Sequence, residues 1–267
     1  MVVESADYTT YPRRWYILTI YAVNASLQVV FPQPIQMNMI VQACIFNTWG
    51  PIAQSAKLAF CWSDAVVAWT GNTMLLVGIF AVPFSYSIIN YSGLRTTVVW
   101  SGSGVLALGA LVRCISMEGS IQQWTSLLCG ALNGWASIMI ECTLTVLSVK
   151  WFPAGERTTA TGIVIATQMA GLVPPALLFP KLVAEPGPGQ QNCTENTELA
   201  GEIRTQVSYI LYTEAALASV VFLAMVFYFP EAPPSPPSPS ATAQRLNIRE
   251  GLSNIFTSPK NIFIGKV

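Results

Sequence analysis

Histidine is absent from the 267 residues. That excludes histidine metal sites, imidazole proton relays and any triad built on imidazole. Charge is also scarce: charged residues make up 10% of the chain, against roughly 25% in a soluble domain. Lys+Arg and Asp+Glu balance at 13 each, so no nucleic-acid partner is expected. The 6 cysteines (Cys44, Cys61, Cys114, Cys129, Cys142, Cys193) contain no C-x-x-C pair, and most lie in apolar runs. A cysteine there is usually a small hydrophobe, so neither a disulfide framework nor a metal site is expected. No phosphate-binding glycine loop and no nucleophile constellation occurs, so neither enzyme activity nor a cofactor is expected. The start, MVVESADYTTYPRR, has no basic n-region of a cleaved signal peptide, and the first apolar run is expected to remain as an anchor.

What is present is apolar. Hydrophobic residues make up 52% of the chain, and mean hydropathy is +0.50. Apolar runs of about 20 residues, the length a bilayer asks for, flank a short polar stretch at 151–163, WFPAGERTTATGI. Lys150, Glu156 and Arg157 cluster there, and buried charge is costly in hydrocarbon, so the stretch reads as a surface hairpin between two spans. The fold expected is all-α: a polytopic membrane protein with six transmembrane helices.

In chain order, 1–12 is a polar cytoplasmic tail and 13–229 a six-helix bundle. The first run, 15–52, is too long for one straight span and is interrupted by Pro32 and Pro34, with a break expected near Phe31 to Gln36. The next spans are expected at about 65–89, 96–113, 122–149, 158–182 and 207–229, with a lumenal loop at about 183–206. Residues 230–267 are a Pro/Ser-rich linker followed by a basic segment.

Six spans put Arg13, Arg14, Arg95, Lys150, Arg157 and the basic residues after the linker on one side, and Lys57, Arg113, Lys181 and Arg204 on the other. The positive-inside rule then places both termini in the cytoplasm. Asn192, in the sequon Asn192-Cys193-Thr194, falls on the opposite side, where glycosylation occurs.

Two acids lie well inside spans, Glu141 and Glu214. Each is some eight or nine residues from a membrane edge, roughly 13 Å deep at the helical rise. An intramembrane carboxylate is costly and marks a functional candidate. Either could carry a coupled proton, or could sit protonated against a neighbouring hydroxyl. Asn133 stands inside the G-x-x-x-G of Gly130–Gly134, a pattern that lets another backbone approach closely. Gly162, Ala166 and Ala170 form a second small-residue stripe. Gln168 lies nearby, before Pro174-Pro175, which should distort the helix and free carbonyls. Asn47 and Trp49, in NTWGP, could bond and stack a planar or cationic ligand; an interfacial anchor is the alternative for Trp49.

WFPAGERTTATGI, FNTWGPIAQSAKLAF, SGLRTTV, ALNGWAS, ILYTEA and YFPEAPPSPP…AQRLNIRE, in this order and spacing, resemble the solute carrier 49 family of the major facilitator superfamily. The resemblance implies twelve helices in two halves with a solute site between them, of which this chain is the N-terminal half. It implies alternating-access transport of a small organic solute such as vitamin B6, choline or a haem-like cargo. It places the protein in the lysosomal membrane first and the plasma membrane second. By this resemblance Trp49 matches the first-helix tryptophan of the family's cavity, Gln168 a fifth-helix glutamine of its choline-type members, and Glu214 the acid of an LY-x-E stretch. Residues 29–42 look inserted, and Asn90-Tyr91-Ser92 replaces the acid that normally precedes Gly93. Expected partners are the solute, the lipid bilayer, and a second half or another copy of the chain. The rival expectation is a truncated or partner-binding membrane protein that does not transport.

Overall fold

The computed structural model describes residues 34–152, 155–187 and 197–229. Among these the regular elements are all helical: α1 (Pro34–Phe46), α2 (Ala53–Phe60), α3 (Asp64–Thr96), a π-helical segment (Thr97–Gly104), α4 (Val105–Val112), α5 (Gly119–Trp151), α6 (Arg157–Ala170), α7 (Val173–Leu182) and α8 (Thr197–Tyr228). Four helical stretches are long and apolar enough to cross a membrane: 64–112, 119–150, 157–182 and 198–227.

The first of these runs 49 residues, which would be about 73 Å as one straight helix, more than twice a bilayer's apolar thickness of about 30 Å. It is two passes. Gly93, at φ 81 and ψ 168, breaks the helix, a backbone that a Cβ would strain. Trp62 Nε1, just before α3, donates to Gly119 O just after α4 at 3.0 Å. The start of one pass and the end of the next therefore share one end of the bundle. Ser55, Ala184 and Arg204 lie at that end too: Ser55 Oγ donates to Ala184 O at 2.8 Å and Arg204 Nε to Ala59 O at 2.8 Å. At the opposite end, Arg95 Nη2 donates to Val226 O at 2.8 Å, and Arg157 Nε to Phe152 O at 3.1 Å. With α1, the passes number six, as the apolar runs require.

Four local details differ from the sequence reading. Pro34 opens α1 rather than breaking it, because the first helical turn needs no donor from its nitrogen. Residues 35–42, half of the stretch expected to interrupt the first span, are regular helix and mostly buried; Pro32 lies outside the described residues. The sixth pass begins at Thr197 rather than near Val207, since Glu198, Glu202 and Arg204 are polar but good helix formers. Gln206 anchors this extension: Ala184 N donates to its Oε1 at 2.7 Å, and its Nε2 donates to Glu202 Oε1 at 2.9 Å. Cys61 is disulfide-bonded, against the expectation of none. It is exposed at a left-handed corner (φ 54) between α2 and α3 rather than inside an apolar run, whereas Cys44, Cys114, Cys129 and Cys142 are free thiols.

Packing follows the small residues of α5. A Cβ on Gly130 would stand 2.8 Å from Thr70 O, and one on Gly134 would collide with Met74 O, so α3 and α5 meet backbone to backbone there. By contrast, a Cβ on Gly162 would meet nothing within 4 Å, and Ala166 and Ala170 are exposed. That small-residue face of α6 is open. One apolar cluster joins α1, α3, α4, α5 and α8, centred on Met39, Ile140 and Met225. A second, around Trp49, Phe60, Trp62 and Leu211, closes the end of the bundle that holds Cys61.

Candidate functional site

The fifth pass breaks at Gly171-Leu172, and Pro174-Pro175 occupy the first turn of α7, where proline is tolerated. The break frees carbonyls, and α1 satisfies them. Cys44 Sγ donates to Gly171 O at 3.2 Å, and Asn47 Nδ2 donates to Leu172 O at 3.4 Å. A Cβ on Gly171 would come within 2.8 Å of Ile40 O, which is why the joint takes glycine. Asn47 is thus a fastener of α1 to α7 in this structure.

The two intramembrane acids have different surroundings. Glu214 on α8 is 4% exposed and Arg113, capping α4, is 1% exposed; the two form an ion pair through Arg113 Nη2 and Glu214 Oε2. Thr48 Oγ1 lies 2.9 Å and 3.1 Å from the two Glu214 oxygens and accepts from Arg113 Nη1 at 3.2 Å. Three passes are therefore tied at one buried point. Breaking such a pair by removing one partner costs about 3–5 kcal/mol, because the other charge stays buried. The sequence reading missed Arg113 by assigning it to a surface loop. The available signal is its apolar setting, LVRCI.

Glu141 on α5 is exposed. Its Oε1 accepts from Ser137 Oγ at 3.0 Å and from Gln168 Nε2 at 3.1 Å. Two candidates from different passes, Glu141 and Gln168, are thus brought together on the open side of α5 and α6. Among the described residues Glu141 has no ion pair.

Asn133 and Trp49 stand apart from that group. Asn133 Nδ2 donates to Gln42 O at 3.3 Å. Trp49 is buried, with its ring centroid 4.8 Å from Trp62 and 5.9 Å from Phe60. Both line a small cavity between α1, α3 and α5, together with Ile45, Arg113, Ser126 and Cys129, and its free space is on the order of one water molecule. Around this seam several buried polar atoms have no hydrogen-bond partner: both amide atoms of Asn38 and of Gln42, Oδ1 of Asn133, and Nε of Arg113. Each such group costs about 1–3 kcal/mol. Asn192 lies outside the described residues.

The sequence profile of the Major Facilitator Superfamily matches residues 35–265, and the chain belongs to that family of membrane transporters. Its match starts inside the stretch expected to be inserted. Among curated proteins, the chain is similar to the solute carrier family 49 member 4 homolog of Xenopus tropicalis. The two are 29% identical over 261 residues, covering 94% of this chain and 52% of the relative. It is also similar to the choline/ethanolamine transporter flvcr2a of Danio rerio, 27% identical over 256 residues, covering 96% of this chain and 48% of the relative. The chain spans about half the length of the curated relatives it matches. It is an integral membrane protein of a small-solute transporter family.

Proposed function

We propose that the chain contributes one half of a carrier that moves a small organic solute across a membrane by alternating access. The observation that carries this reading is Glu141. A carboxylate at membrane depth on an open face is costly against lipid, so that face borders a water-filled cavity or a second bundle. Ser137 and Gln168 hold one oxygen of the carboxylate. Such a group attracts the ammonium of an organic amine, the chemistry named in choline- and ethanolamine-transporting relatives; vitamin B6 and haem-like cargo are the other candidates. Glu141 would also exchange the coupled proton, with Glu214 taking part when its pair with Arg113 opens. Asn47, Trp49 and Asn133, bonded or buried within the bundle, support that face rather than line it.

The end holding Cys61 is assigned to the lumenal or extracellular side, because disulfides persist in oxidising compartments. That agrees with cytoplasmic termini and with glycosylation at Asn192. The lysosomal membrane is the preferred address and the plasma membrane the second. The open face of α5 and α6 would meet a second half or another copy of the chain. A site between two halves is not closed by one, and for that reason a non-transporting, partner-binding role is the second reading.

Counter-flow of labelled choline and of labelled pyridoxine into vesicles holding this chain alone, and then this chain with a C-terminal half of a relative, decides between the two. Exchange lost in Glu141→Gln is the expected result. No exchange of either solute in either preparation, with insertion verified, leaves the partner-binding role. Glycosylation mapping should modify Asn192 and leave sequons engineered at 235–242 bare; a glycan in the linker overturns the sidedness.

A further inference from the structure

Asn38, Gln42 and Ile45 recur at the spacing of one helical face on α1, and Trp49 follows just beyond its end. Ile45 and Trp49 line the cavity with Asn133 of α5, and Gln42 O bonds Asn133 Nδ2. The face therefore looks onto α5, where Ser126, Asn133, Ser137 and Glu141 form a matching polar stripe along the helix. Between the two faces lie unpartnered polar atoms from side chains at 0% to 2% exposure: the amides of Asn38 and Gln42, Asn133 Oδ1 and Arg113 Nε. They present both donors and acceptors; Asn133 and Arg113 line the water-sized cavity, and Gln42 is bonded to Asn133.

Apolar residues would fill this seam more stably than amides left without partners. Buried water answers the need directly, since it typically makes about three hydrogen bonds to groups that would otherwise go unsatisfied. The cavity borders the Arg113–Glu214 pair through Arg113, and Asn133 joins it to Gln42 of α1.

We infer that the α1–α5 seam is a water-binding site: ordered water held by Asn133 and Arg113, with the unpartnered amides of Gln42 and Asn38 on the same face of α1, beside the Arg113–Glu214 pair. Hydration of the seam does not depend on which solute is carried.

Hydroxyl radicals generated by X-ray pulses label buried side chains that touch bound water, so footprinting of the whole chain in lipid nanodiscs reads the site directly. Trp49 and Cys129 line the cavity, and Met225, at 0% exposure, sits in the apolar cluster and serves as the dry control. After correction for intrinsic reactivity, Trp49 and Cys129 should be labelled several-fold faster than Met225. In the Asn38→Leu/Gln42→Leu variant their labelling should fall toward the rate of Met225. Equal rates for all three in the unaltered chain overturn the site, and that measurement needs no variant to fold. Unchanged labelling in a folded double variant overturns the assignment of the waters to these amides. Absence of solute exchange by the unaltered chain, with labelling as expected, would instead strike the transport reading alone.

Discussion

Glu214 and Glu141 are the same residue type, each well inside a long apolar helix, yet they end in opposite situations. Glu214 is enclosed by an arginine and a threonine from two other passes. Glu141 is open, held by a serine one turn back on its own helix and a glutamine of α6. The first acid is spent on holding three passes in register. The second keeps an oxygen free of protein and is available to a ligand. A place inside an apolar helix therefore does not decide what a carboxylate does; the charge brought to it by other passes does.

The contrast is tested most severely at Arg113. Arg113→Leu should lower stability by about 3–5 kcal/mol, read from denaturant unfolding in detergent, because Glu214 is then left charged and unpaired. Arg113→Leu/Glu214→Leu should recover most of that loss, since a packed apolar pair can replace a buried ion pair. If the single variant costs under about 1 kcal/mol, the pair behaves like a solvated one, and the contrast with Glu141 collapses.

A smaller effect is expected at Thr48. Thr48→Val keeps the shape and removes a hydrogen bond to a charged group, worth about 1.5–3 kcal/mol. The same unfolding assay should rank it between Arg113→Leu and any change at Glu141. A Thr48→Val variant as stable as the parent would show that the hydroxyl adds nothing to the pair.

At the mild end, Glu141→Gln should shift stability by no more than about 0.5 kcal/mol, as surface substitutions usually do. Amine binding measured by calorimetry or counter-flow should nevertheless be lost. A large destabilisation with binding retained would reverse the roles assigned to the two acids.

The six passes were legible because span length and hydropathy are strong local signals. The turn at Gly93 and the irregular fifth pass were legible for the same reason, since glycine and proline mark them in sequence. Arg113 was not legible. Counting a basic residue near a span's end as a loop charge ignores the possibility of a partner 101 positions away, which only tertiary packing reveals. Thr48 was hidden with it. The start of α8 was misplaced because polarity was read as loop, when α2 and Gln206 hold those polar turns against the end of the bundle. Cys61 was hidden by the general habit of cysteine in membrane proteins; its corner position is a property of the fold. Glu141 and Gln168 were each singled out, and their meeting follows from the register of α5 against α6.

The π-helical segment at Thr97–Gly104 is held between α5 and α8. A Cβ on Gly102 would stand 2.6 Å from Ile140, and one on Gly104 would stand 3.1 Å from Phe222. Each π turn takes in one more residue than an α turn, so the segment absorbs extra length without making a loop. Everything downstream is thereby rotated in phase about the helix axis, including Arg113 at its far end. In the history of such a chain, a residue gained here is a twist rather than a bulge. Deleting one residue within 97–104 would redial the same helix and swing the arginine off Glu214, with neither residue itself replaced.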